Sequence, residues 1–299
     1  MKKSLLITGA TGFLGGHLIS QAGENWNIHA TYRQKIQNLQ NVNWVKLDLN
    51  DLSQIEQILN TRKIDVVIHA AAIADLDTAE GDSELTNRIN VLATQKIVDF
   101  CESSKTRLIF ISTDMVFDGE KGNYTEDDPV NPLNSYGVSK KTAENYIRQF
   151  SSNYVIARSA LIYGFSWTES QTFSQIMLKR TKKGESVQLF TDQFRSPILV
   201  NNLAQALLEL ADSDFCGTLH LGAPERISRY EFGILFAKYF SISSNLFIPI
   251  QMKNYQFKAA RPKDTSFKID SAKKILKTEL LDCHNGIQFI KECSSSRQF

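Results

Sequence analysis

The sequence predicts an α/β fold, a doubly wound parallel sheet with a smaller C-terminal lobe. Three observations carry that reading. Short apolar strands alternate with amphipathic helices through the first two-thirds of the chain, and a glycine-rich turn joins the first strand to the first helix. Beyond about Gly164 the alternation loosens.

The elements follow in order. Ser4–Thr8 reads as a buried strand, and a helix begins at Phe13. Ile28–Tyr32 and Trp44–Leu47 are shorter strands, and Leu52–Leu59 repeats apolar residues at helical spacing behind the polar pair Asn50 and Asp51. Ile64–His69 and Leu108–Ser112 are apolar, β-branched runs that suit central strands buried on both faces. Between them Leu85–Phe100 reads as one long helix. Ser135–Phe150 is a further helix and Tyr154–Arg158 a further strand. Residues 1–163 thus form one unit. In residues 164–299, Phe173–Arg180, Asn202–Ala211 and Arg229–Phe240 look helical, while Val187–Phe190, Ile198–Val200 and Thr218–Leu221 look like short strands. This part is expected to close over the carboxyl edge of the sheet, with the chain free to cross between lobes, and Ser294–Phe299 is expected to fray.

Composition narrows the class. The chain has 299 residues, 42% hydrophobic and 22% charged, with a net charge of +2. Those values suit a globular protein and give no reason to expect nucleic acid or an anionic membrane as a partner. No apolar run approaches the roughly 18–20 residues that span a bilayer. The opening MKKSLLITGATGFLGG runs straight into its glycine turn and is read as strand, not as a leader. Cys101, Cys216, Cys283 and Cys293 are scattered without CxxC spacing, and the five histidines form no HxxxH or HExxH group. No disulfide framework or metal site is expected, and a reducing, cytoplasmic compartment fits. His69, ending an apolar strand, reads as a satisfied core residue.

The turn Gly9-Ala-Thr11-Gly12-Phe13-Leu14-Gly15 has GxxGxxG spacing. Such a turn bends sharply, lets backbone approach a pyrophosphate and opens a helix whose N–H groups favour phosphate. It points to a Rossmann-type dinucleotide site. The second strand ends in Thr31-Tyr32-Arg33, where an acid would bind the ribose of NAD; Arg33 instead suits the 2′-phosphate of NADP, so NADPH is expected, with NADH open. Asp48 and Leu49 are placed for the adenine, and Ala70, Ala71 and Ala72 offer a small-residue path beside the cofactor.

Tyr136 and Lys140 stand at i and i+4 of a helix, on one face. A lysine ammonium near the phenol is expected to draw its pKa down from about 10 toward working pH. Such a phenol can exchange a proton with a carbonyl or alcohol oxygen, and a hydroxyl from Ser112 or Thr113 could bind the same oxygen.

With these residues in place the sequence resembles the extended short-chain dehydrogenase/reductase family, and within it the dTDP-4-dehydrorhamnose reductase branch, along nearly its whole length. The matching strings are FISTDMVFDG (110–119), PLNSYGVSK (132–140), TDQFRSP (191–197) and RPKDTSF (261–267). The resemblance implies Thr113, Tyr136 and Lys140 as the catalytic trio, with Tyr136 as general acid, Lys140 tuning it and holding the nicotinamide ribose, and Thr113 polarising the ketone. It also implies substrate contacts from Asp77, Asp114 and Arg261, a match at Glu80, a structural Asn90 and a nucleotide-diphosphate sugar as substrate, and it allows a homodimer; Arg195 is a further candidate contact that the family pattern lacks. Two departures stand out. Met115 replaces a tyrosine that helps line the branch's sugar site, and Arg195 adds a cation to the substrate lobe.

Three functions remain open. The leading expectation is an NADPH-dependent reductase of a nucleotide-linked 4-keto-6-deoxy sugar. Thr113-Asp114-Met115 lacks the glutamate of a sugar 4,6-dehydratase, and the missing acid after the second strand weighs against an epimerase that retains NAD. A non-catalytic regulatory subunit resembling the methionine adenosyltransferase beta subunit is the third reading.

Overall fold

Seven parallel strands organise the molecule, in the order β3-β2-β1-β4-β5-β6-β11. The computed structural model describes residues 2–34, 41–166 and 172–295. The first half-sheet uses β1 (Lys3–Thr8), β2 (Trp26–Tyr32) and β3 (Val42–Lys46), linked by α1 (Phe13–Ala22); α2 (Leu52–Asn60) then leads to β4 (Val66–His69). The strand order reverses between β1 and β4, which opens a crevice at their carboxyl ends.

Next come α3 (Leu76–Gly81), α4 (Ser83–Asn87), α5 (Ala93–Ser104), β5 (Arg107–Thr113), α6 (Ser135–Phe150) and β6 (Tyr154–Ser159). The long helix expected over Leu85–Phe100 is interrupted. A π turn spans Arg88–Leu92, where the Ala93 N–H reaches the Arg88 carbonyl five residues back. Its extra residue lets Asn90 leave the helix surface: Nδ2 donates to the Ile73 carbonyl and to Ser139 Oγ, both at 3.0 Å, and Oδ1 accepts from the Ile73 N–H at 2.9 Å. One side chain thereby ties β4's exit to α6.

The remaining elements are β7 (Ile162–Tyr163), α7 (Phe173–Lys182), β8 (Val187–Phe190), β9 (Phe194–Arg195), β10 (Ile198–Leu199), α8 (Val200–Ala211), β11 (Gly217–Leu221), β12 (Ile227–Ser228), α9 (Arg229–Phe240), β13 (Phe247–Ile250), α10 (Asp270–Ile275) and α11 (Cys283–Ser295). Helices α10 and α11 and strand β13 are additions to the sequence reading. Ser294 lies within α11, while 296–299, also expected to fray, fall outside the described residues. Late in the chain β11 pairs with β6, and α8 packs on α1.

Alternation along the strands builds two cores. Leu5, Ile7, Ile68 and Ile109 face α1 and α8, whereas Leu6, Val67, Leu108 and Phe110 face α2, α5 and α6. A third cluster, with Met177, Leu189, Phe232, Phe236 and Ile287, fills the second lobe. His69 is satisfied as expected, with Nδ1 2.7 Å from Thr8 Oγ1 and Nε2 3.0 Å from Thr94 Oγ1. Burial pushes it down to about 3, so it is neutral. Among the described residues no helix is long and apolar enough to cross a membrane.

Candidate active site

The glycine turn admits no bulk. Gly9 has φ +67°, a Cβ there would stand 2.9 Å from the Ala71 backbone, and one at Gly15 would stand 2.2 Å from the Gly9 carbonyl oxygen. α1 has no capping side chain and no acid in its first turn. The first-turn N–H groups around Phe13, Leu14 and Gly15 are therefore available to an anion. That donor set fits a pyrophosphate.

Two cavities flank the turn. Gly9, Thr11, Arg33, Asp48, Leu49, Ala71 and Ala72 line a recess of ≈ 170 Å³, which the Arg33 side chain borders from the exposed side. Leu14 and Ala70 lie instead on a larger cleft of ≈ 550 Å³, with Thr113, Asp114, Tyr136 and Lys140, and Ala72 borders both cavities. Gly12, Phe13 and Gly15 form the turn itself, where the Gly12 N–H bonds the Gly9 carbonyl at 2.9 Å.

Local sequence explains how Tyr136 reaches Thr113. Asn134 caps α6, accepting from the Gly137 N–H at 2.9 Å and donating to the Ala260 carbonyl at 3.0 Å. Glu80 accepts from the Ser135 N–H at 3.0 Å. A Cβ on Gly137 would meet the Met115 carbonyl oxygen at 2.3 Å, so glycine lets α6 press onto the turn after β5. There Thr113 Oγ1 accepts from the Met115 N–H at 3.1 Å.

The electrostatics depart from one expectation. The Tyr136 phenol is not drawn down; burial pushes it up to about 12, with Asp114 adding to the rise and the Thr113 hydroxyl, within hydrogen-bond reach, opposing it. Lys140 is itself buried. Its Nζ lies 4.0 Å over the Phe110 ring, and burial lowers it to about 7 against the charge of Glu144. Tyr136 is consequently a held proton. Ser112, the other candidate hydroxyl, donates to Glu144 at 2.5 Å, which leaves Thr113 as the hydroxyl beside the phenol.

The four substrate candidates separate. Asp114 is buried, accepting from Thr265 Oγ1 at 2.6 Å with Arg195 Nε at 3.4 Å, and burial raises its pKa. Arg195 lines the cleft, yet Nη1 donates to the carbonyls of Phe194 (2.6 Å) and Lys263 (3.2 Å) and Nη2 to that of Pro262 (3.0 Å). The extra cation is thus largely absorbed by the protein. Arg261 also lines the cleft; Asp77, which does not, holds Arg261 Nη2 at 2.9 Å. Two features escaped the sequence reading. Arg229 lines the cleft, and Phe190 and Phe257 form an aromatic edge backed by the exposed Tyr255.

A phenol and a hydroxyl thus stand side by side at the carboxyl edge of the sheet, in a cleft that reaches the first helix of the glycine turn. Fold and site define an NAD(P)-dependent oxidoreductase of the extended short-chain dehydrogenase/reductase class, acting on a ketone. The chain belongs to the RmlD substrate binding domain family, which matches residues 1–293. It is 32% identical over 232 residues to dTDP-4-dehydrorhamnose reductase of Mycobacterium tuberculosis, covering 76% of this chain and 72% of that one. It is 28% identical over 269 residues to methionine adenosyltransferase 2 subunit beta of Danio rerio, covering 88% and 81%. Among solved structures, dTDP-4-dehydrorhamnose reductase from Bacillus anthracis in complex with NADP superposes with a TM-score of 0.88 at 25% identity, covering 98% of this chain and all of that one.

Proposed function

We propose that this protein uses NADPH to reduce the 4-keto group of a nucleotide-linked 4-keto-6-deoxy sugar. The observation that carries the reading is Tyr136, a phenol held protonated beside Thr113 in a cleft shared with the dinucleotide turn. In this reading residues 1–163 hold the dinucleotide and the lobe from 164–299 holds the sugar nucleotide.

The turn from Gly9 to Gly15 binds the pyrophosphate, Asp48 and Leu49 border the adenine, Arg33 pairs with the 2′-phosphate, and Ala70, Ala71 and Ala72 leave room for the cofactor's length. NADPH, when bound, supplies the hydride that reduces the carbonyl carbon. Thr113 donates to the ketone oxygen and orients it. Tyr136 delivers its phenolic proton to that oxygen as negative charge develops there. Lys140 would hold the ribose of the cofactor, and in its protonated form it steadies the phenolate that Tyr136 leaves. Asp114 braces Arg195 behind the sugar, and Asp77 holds Arg261 toward the diphosphate.

The test is NADPH oxidation with and without a dTDP-4-keto-6-deoxyhexose. Substrate-dependent oxidation is expected, and Tyr136→Phe should lower its rate by about 10²- to 10⁴-fold. Undiminished turnover in that variant would sink the mechanism. The similarity to methionine adenosyltransferase 2 subunit beta supports a second reading, a binding subunit without turnover. NADPH binding with no oxidation, together with a stable protein partner on co-purification, would favour it.

A further inference from the structure

One cation in the cleft is used neither by the trio nor by the cofactor site. Arg229 opens α9 directly after the Ser228 cap, and its guanidinium lies 3.7 Å from the centroid of the Phe173 ring. It shares the cleft with Arg195 and Arg261. Those two are already held, Arg195 by Asp114 and three main-chain carbonyls, Arg261 by Asp77 and the Ala259 carbonyl. Among the described residues no hydrogen bond or ion pair engages the Arg229 side chain.

Its surroundings disfavour a bare charge. Burial and the neighbouring Arg195 lower it to about 9, with Asp114 opposing. A cation in the first turn also sits at the positive end of the helix dipole. An anion arriving in the cleft would relieve both penalties.

We propose that Arg229 receives the phosphate bonded to the sugar of the nucleotide-sugar substrate, an inference that rests on the reductase reading above. The chemistry of the substrate sets the place. In a 4-keto sugar the carbonyl carbon and the phosphate-bearing C1 face each other across the pyranose ring, so this phosphate lies one ring from the ketone. Arg229 and the Phe173 ring it lies against line the same cleft as Thr113 and Tyr136. Arg261, 5.5 Å from the Phe257 ring, belongs to the aromatic edge. A guanidinium lying against a ring keeps its donor edge free for two phosphate oxygens. Arg229 therefore distinguishes a nucleoside diphosphate from a monophosphate.

Calorimetric titration of the full chain with thymidine diphosphate and thymidine monophosphate tests this, with NADPH binding as the check on folding. The wild type should prefer the diphosphate. Arg229→Gln should weaken diphosphate binding by about 10- to 100-fold, leave monophosphate and NADPH affinity unchanged, and Arg229→Lys should recover part of the loss. Wild-type diphosphate affinity in an Arg229→Gln protein that binds NADPH overturns the proposal, as does an equal loss for both nucleotides. Discrimination through Arg229 in a protein that consumes no NADPH with the keto sugar supports the phosphate site and overturns only the reductase reading.

Discussion

Glu144 and Arg158 meet twice in the interior, with Arg158 Nε 3.0 Å from Oε1 and Nη2 2.8 Å from Oε2. Both side chains are buried. Glu144 stands one turn beyond Lys140 on α6 and also accepts from Ser112, so the pair joins α6 to β5 and β6.

Removing one partner strands the other's charge. Glu144→Ala should destabilise the fold by about 3–5 kcal/mol, as expected for a broken buried ion pair. Replacing both, Glu144→Met with Arg158→Leu, should recover much of that loss. Urea unfolding of the two proteins checks it, and a single variant as stable as wild type would remove the pair from the account of how α6 is held.

Lys140 gives stability a pH signature. Its pKa falls from 10.5 to about 7 on folding. Between those values the unfolded chain binds more protons, so this group's penalty shrinks as pH rises, by at most about 1.4 kcal/mol per pH unit. Below pH 7 both states are charged and the penalty is complete. Any stability advantage of Lys140→Met over wild type should therefore be greatest below about pH 7 and narrow toward pH 10. A difference that stays constant across that range would mean the ammonium is not burdened by burial.

Arg33 should set cofactor choice. Arg33→Ser is expected to weaken NADPH binding by about 10- to 100-fold, the scale of a lost charge-assisted contact, and to leave NADH binding unchanged. Fluorescence titration with each dinucleotide measures both. Equal losses would shift the role of Arg33 from recognising a phosphate to shaping the recess.

Some of the site was legible because it depends on neighbours in sequence. The Gly9–Gly15 turn, the bounds of α6 and the Tyr136–Lys140 spacing all follow from local pattern. The π turn was not legible, since apolar spacing reads as helical on both sides of Arg88–Leu92 and only Asn90's distant partner Ile73 betrays the extra residue. Nor was the fate of Arg195, because the carboxylate that neutralises it is Asp114, from the other lobe. The pKa of Tyr136 went the opposite way from the expectation for the same reason. Spacing places a lysine nearby, but the burial of both groups is a property of the assembled cleft. Arg229 reads in sequence as an ordinary polar start to a helix, and only Phe173 and the occupied state of its neighbours set it apart.

The return of β11 to the sheet has a consequence for a chain made from its N-terminus. When residue 163 has been synthesised, six of the seven sheet strands exist, but the edge strand and α8 do not. Until Ala211 follows, the face bearing Leu5, Ile7 and Ile109 has α1 over it and lacks its second covering helix. The nascent protein passes through an interval in which its best-formed half is also its stickiest, and much of the chain beyond residue 163 must emerge before the seven-stranded sheet is complete. Such interlacing makes the two lobes one cooperative unit, which proteolysis between them would not release as two stable pieces.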